Sequence, residues 1–167
     1  MNFDERLVDY LKNKNLNRVI LTGSYALYLQ GLSTTYADID IIDLDRKGLE
    51  KIVSKVDVLP PSTNRPIIGE LKSVGYINNI EVFVLNDISI FIGKINGYNS
   101  KNGKQKQNAL RDYKKFNKDY LLDVLDSILL TPQTQSLYWN IQDFKKDIGW
   151  PFVSYTLEPW GAKIATN

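Results

Sequence analysis

Asp38 and Asp40 stand two residues apart in the run Asp38-Ile39-Asp40-Ile41-Ile42-Asp43. In a strand, side chains alternate between faces, so the two carboxylates would point one way and Ile39 and Ile41 the other. Two carboxylates side by side repel, which raises a pKa unless a cation sits between them. Oxygen-only donors at that spacing suit a hard divalent ion, Mg²⁺ or Mn²⁺. Upstream, Gly23-Ser24 closes an apolar β-like run (Val19, Ile20, Leu21, Thr22) and opens a short helix-like segment with Ala26, Leu27 and Leu29. Glycine at such a turn lets the backbone approach a ligand, and the N–H groups that begin a helix, with the Ser24 hydroxyl, suit a phosphate. Taken singly, Gly-Ser is a turn with an N-cap serine and Asp-x-Asp a solvated strand face. In the order strand, Gly-Ser, helix, strand, Asp-x-Asp, they describe a site for a nucleoside triphosphate with its metal.

The elements that must position these residues read as a mixed α/β (α+β) fold. A small mixed sheet is flanked by helices, and the C-terminal half is helical. Residues 3–14 place Leu7, Val8, Tyr10 and Leu11 on one side of a packing helix. After Asp45 the spacing of Leu49, Ile52, Val53 and Val56 predicts a second helix, RKGLEKIVSKV. Residues 60–66, with Pro60, Pro61 and Pro66, read as an exposed loop, and Arg65 as a surface residue of that loop that could reach a phosphate. Two strands follow, Glu70 to Tyr76 and Ile80 to Leu85, with a tight turn at Asn78-Asn79. Glu81 is an acid inside the second of these apolar runs, where an isolated charge is costly unless paired or metal-bound. Asp87 is the alternative third acid, in a turn-like context. Residues 88–95 are β-branched and fit a strand or a buried helix, 96–107 read as a loop, and 109–130 as one helix closed by Thr131-Pro132. The expectation is a single domain over 1–167, with a core at 1–92, a basic helical segment at 93–130 and an aromatic-rich tail at 131–167 packed on the core.

Composition narrows the chemistry. The chain has 167 residues, with no cysteine and no histidine. Thiolate nucleophiles, disulfides, His-based zinc sites and Ser-His triads are therefore excluded. Catalysis would fall to carboxylates, lysines or a bound metal, and metal-assisted phosphoryl transfer needs no histidine. No apolar run approaches the ~18 residues of a membrane span, and the start is acidic and amphipathic rather than a secretion signal, so a cytoplasmic protein is expected. From Lys94 to Lys118 there are eight Lys/Arg against one acid, Asp112, a local +7. Such a stretch suits a polyanion, RNA or tRNA, or is simply a solvated face. The tail holds Trp139, Trp150 and Trp160, which suit packing, a protein interface or stacking on bases.

Gly23-Ser24 followed by Asp38-Ile39-Asp40 resembles the signature of the nucleotidyltransferase superfamily with the polymerase-beta-like fold. The wider context "ILTGSYALYLQG…DIDIID" is most similar to the minimal and AbiE-toxin-like branches, the latter belonging to toxin–antitoxin systems. The likeness covers residues 18 to 45, thins towards 125 and is absent from the tail. It implies transfer of a nucleoside monophosphate (NMP) from an NTP to an acceptor hydroxyl on RNA, protein or a small molecule. Asp38, Asp40 and Glu81 would be the catalytic and metal-binding residues for Mg²⁺ or Mn²⁺, Gly23, Ser24 and Lys94 would bind the nucleotide, and Asp119 would orient a substrate. One departure is visible. Those branches often carry an arginine shortly before the first Asp, whereas residues 33–37 hold no basic residue. That gap, and Glu rather than Asp at position 81, support the alternative of a non-catalytic binding module on the same fold.

Overall fold

Val19, Ile20 and Leu21 are buried in succession, at 3%, 3% and 0% exposure. The strand they form, β1 (Arg18–Thr22), is accordingly covered on both faces. The computed structural model describes residues 2–45, 50–52, 55–62, 65–149, 154–157 and 163–166. The chain divides into two compact units, Met1–Gly93 and Lys94–Asn167.

In the first unit, α1 (Glu5–Leu11) precedes β1 and α2 (Gly23–Leu29) follows it. Then come β2 (Ile39–Ile42), β3 (Glu50–Ile52), β4 (Val56–Leu59), β5 (Lys72–Ile77) and β6 (Ile80–Val84). The six strands make one mixed sheet in the order β3-β4-β2-β1-β6-β5. β1 runs antiparallel to β2 and parallel to β6, β2 runs parallel to β4, and β3/β4 and β5/β6 are antiparallel pairs. Asn78, at φ 54°, turns β5 into β6 where the tight turn is predicted. α1 has seven residues, too few to hold a helix alone. Asp4 caps it by accepting from the Arg6 N–H at 2.8 Å. The fully buried Leu7 and nearly buried Leu11 anchor it to the core, contributing about 1.5–3 kcal/mol each.

The region after Asp45 is not the predicted helix. Glu50–Ile52 and Val56–Leu59 are antiparallel strands, with Lys55 in the left-handed region at φ 62°; residues 46–49 and 53–54 lie outside the described residues. The apolar spacing fits a helix, but Val56 and Val58 are β-branched and pack well on a pleated surface. Val56 and Val58, at 1% and 0% exposure, alternate with Asp57. Pairing with β2 satisfies backbone groups that β2 would otherwise leave open.

Residues 88–95 resolve as helix, within α3 (Asp87–Asn96). In the second unit the predicted loop 96–107 is shorter, because α4 (Lys104–Asp112) begins inside it. The single helix expected over 109–130 is broken. α4 passes through a 3₁₀ turn at Tyr113–Lys115 to extended Phe116, and α5 (Lys118–Asp126) starts afresh, capped by Asn117, whose side chain accepts from the Tyr120 N–H at 3.0 Å. α6 (Gln135–Asp147), which the tail does not announce, buries Leu137, Ile141 and Phe144. β7 (Ser154–Leu157) and β8 (Lys163–Thr166) pair antiparallel. Trp150 and Trp160 lie outside the described residues, and Trp139 is 52% exposed. Among the described residues no helix is long and apolar enough to cross a membrane.

Candidate functional site

Register places three residues abreast on one face of the sheet: Thr22 of β1, Asp40 of β2 and Asp57 of β4. Ile39 and Ile41, at 0% and 3% exposure, take the other face into the core. Asp38 enters β2 two residues before Asp40, close enough for its charge to act on Asp40. Asp40 is partly buried, and its pKa is pushed up to about 6. Burial is the main cause, followed by the neighbouring charges of Asp57 and Asp38, while Arg65 acts in the opposite sense. The Asp40 and Asp57 carboxyl groups lie within hydrogen-bonding reach of each other.

Gly23 follows Thr22 directly and lies against Asp40. Its φ is +72°, a conformation L side chains rarely adopt. A Cβ at this position would overlap Asp40 Oδ2 and lie 3.2 Å from its Cγ. Only glycine lets the turn out of β1 meet the carboxylate of β2 in this way. Ser24 comes next, and no side chain of Thr22 caps the helix start. α2 is only seven residues long, so any pull on an anion comes from individual N–H groups and the Ser24 hydroxyl rather than from a long helix dipole.

An arginine does serve the approach to Asp38, although it comes from α1. Arg6 Nη1 donates to the carbonyl of Ala37 at 2.9 Å. The same guanidinium grips Asp4, with Nε and Nη2 donating to the two carboxylate oxygens at 3.1 and 2.9 Å. Tyr36 donates its hydroxyl to Asp4 at 2.7 Å, and the Asp4 N–H donates to Tyr25 at 2.8 Å. These bonds hold the Asp4 carboxyl well below the usual range, Arg6 acting most strongly, and raise Tyr36 to about 12. Tyr25 and Tyr28 pack on Tyr36, with ring centroids 4.6 and 4.7 Å from it. The loop is thereby pinned on both sides of residues 36–37, immediately before Asp38.

The other residues singled out in the sequence are placed elsewhere. Glu81 pairs with Arg18 at the start of β1, on the side of β1 away from β2. Thr22 is four positions beyond Arg18, about 13 Å along the strand, so the structure does not bring Glu81 to Asp38 and Asp40. The acid beside them is Asp57. Asp87 lies in the first turn of α3, where its Oδ1 accepts from the Ile88 N–H at 2.9 Å. Lys94 belongs to the second unit and forms an ion pair with Asp112 at 3.6 Å; burial lowers its pKa and Asp112 opposes that. Arg111 and Lys115 converge on the same Asp112, at 2.8 and 3.3 Å, and Lys106 pairs with Asp147 at 3.4 Å. Part of the local positive charge is therefore neutralised within the unit. Asp119 is exposed in the first turn of α5.

Among the described residues no three His, Cys, Asp or Glu side chains converge as a group able to hold a metal ion. Mg²⁺, however, is commonly bound through one or two carboxylates, with water and substrate phosphate completing its shell. The Asp38 and Asp40 oxygens fit that chemistry, since a cation would relieve the repulsion that raises Asp40. Comparison of the chain with protein-family models and with curated proteins gives no match.

Proposed function

We propose that the first unit moves an NMP from an NTP to an acceptor hydroxyl. The observation that carries this reading is the meeting of the Gly23 turn with Asp40, between Thr22 and Asp57. Asp38 and Asp40 would hold Mg²⁺ or Mn²⁺, which would neutralise triphosphate charge and lower the pKa of a bound hydroxyl. Ser24 and the neighbouring N–H groups donate to the outer phosphates. The acceptor oxygen bonds to the α-phosphorus, the bond to the bridging oxygen of the β-phosphate breaks, and pyrophosphate leaves. The acceptor proton passes to Asp57, the carboxylate in register beside Asp40, acting as general base.

In this reading Glu81 has no catalytic role, and Lys94 and Asp119 are not assigned. RNA is the polyanion that the exposed Lys101, Lys104, Lys114 and Lys118 of the second unit would attract. A cytoplasmic setting, with its supply of NTP and Mg²⁺, goes with this assignment. The alternative of a non-catalytic binding module retains the fold and loses transfer.

A thermal-shift titration with each NTP and Mg²⁺ tests nucleotide binding at this site. The wild type is expected to rise by several degrees at saturation, and Asp38→Asn and Asp40→Asn to lose most of that rise. Equal shifts in all three proteins would place the nucleotide elsewhere.

A further inference from the structure

Beyond the carboxylates, on the same side of the sheet, a pocket of about 350 Å³ opens where β2 and β4 end. Ile42 and Leu44 line one wall, Pro60, Pro61, Pro66 and Ile67 much of the rest, and Arg65 and Ser62 supply the polar groups. Ile42 is two residues past Asp40, so its side chain shares that carboxylate's face. The volume is that of a small-ligand site, and the lining is mostly apolar with few polar groups. Three proline rings give flat, rigid walls that lose little freedom when a planar group packs against them. The Arg65 N–H donates to the Ser62 carbonyl at 3.0 Å. Arg65 also acts electrostatically on Asp40, so its charge is felt at the carboxylates as well as in the pocket.

The order of strands separates this pocket from the Gly23 turn. β1, which ends in Gly23-Ser24, flanks β2 on one side, and β4, which ends in the proline loop, flanks it on the other. Asp40 lies between the two. We propose that the pocket is the acceptor site, and that the acceptor carries one aromatic or heteroaromatic ring held by the prolines and an anionic group held by Arg65. The inference rests on the transferase reading and adds the chemical class of its second substrate. A guanidinium pairs with phosphate or carboxylate through two parallel N–H donors, while the remaining lining offers a ring little but apolar contact. A free small molecule and a phosphorylated chain end share this chemistry.

Binding can be measured apart from transfer. The probes are phenyl phosphate, inorganic phosphate and phenol, titrated into the full chain and followed by ligand-observed NMR. Phenyl phosphate should bind at least about tenfold more tightly than either fragment, since ring and anion contribute together. Arg65→Gln should lose about tenfold for phenyl phosphate and little for phenol. Ile67→Trp, at a residue already 42% exposed, should fill the pocket without disturbing the core and weaken both. Failure of the wild type to transfer label alongside intact phenyl phosphate binding would reject the transferase reading and leave the pocket standing. A mononucleotide binding as well as a short RNA indicates a free acceptor, and tighter RNA binding indicates a chain end; either supports the site. Undiminished binding by Arg65→Gln and Ile67→Trp, equal binding of inorganic phosphate, or displacement of phenyl phosphate by a non-hydrolysable NTP would overturn the proposal.

Discussion

Asp57 lies in register beside Asp40 on the parallel neighbouring strand, and its charge helps to raise the Asp40 pKa. Two ionised carboxylates at that separation repel, so removing one should be felt in the chemistry of the other. Asp57→Asn is expected to lower transfer by at least about 100-fold, the scale of a lost general base. Glu81→Gln, at the far end of β1, should stay within about threefold of wild type by the same measure. Initial rates for the two variants check this, and the reverse ranking would return the third carboxylate to β6.

The same crowding sets a pH dependence in the metal-free protein. The Asp40 pKa is about 6 in the folded chain against an ordinary 3.8. Below about pH 4 the group is protonated folded or unfolded and costs nothing. Between about 4 and 6 the folded chain keeps a proton that the unfolded chain releases, so stability falls as pH rises, and the full cost stands above about 6. Asp40→Asn removes the charge. Urea unfolding in EDTA at pH 7.5 should find it more stable than wild type by on the order of 1–3 kcal/mol, with little gain at pH 3.5. A variant less stable at pH 7.5 would show that Asp40 is not held against its charge.

Gly23 and Gly31 separate backbone strain from crowding. Both have positive φ, +72° and +74°, but a Cβ at Gly31 would meet nothing within 4 Å. Gly31→Ala should cost about 1–2 kcal/mol for the left-handed backbone alone. Gly23→Ala should cost more, and the excess should shrink when Asp40 is also replaced by alanine. The double-mutant cycle is expected to give a coupling of about 1–3 kcal/mol. Additive effects would mean that glycine is needed there for its backbone only.

The Arg6 network gives a second, opposite pH signature. Arg6 and Tyr36 depress the Asp4 pKa in the folded chain, so this carboxylate contributes stability that is present above about pH 4 and lost as pH falls. Arg6→Gln should destabilise the protein by about 1–3 kcal/mol at pH 7 and flatten the acid limb of its stability curve. An acid limb as steep as the wild type's would show that another group carries it.

The turn at Gly23 and the strand that carries Asp40 are legible because their signals are local. Gly23-Ser24 after an apolar run, and Asp38 and Asp40 around Ile39, declare turn and facing within a few residues. Asp57 was not, because Leu49, Ile52, Val53 and Val56 also satisfy a helical spacing, and a helix through Val56 hides the alternation Val56-Asp57-Val58. Glu81 has the same look, an acid between apolar strand residues, and what distinguishes it from Asp57 is which strand pairs with which. That is a non-local property, decided when β4 takes the open side of β2 and β6 the far side of β1. Arg6 was hidden for the same reason, since its contact with Ala37 spans 31 residues. The break between α4 and α5 has a local signal in the capping asparagine at 117.

The most direct test is transfer itself. Wild type, Asp40→Asn, Asp57→Asn and Glu81→Gln would each be incubated with α-labelled NTPs, Mg²⁺ and a cell extract, and the RNA, protein and small-molecule fractions resolved separately. The account predicts label in one fraction with wild type and Glu81→Gln, and none above background with either aspartate variant. Label that survives in Asp40→Asn, or that vanishes only in Glu81→Gln, would contradict it.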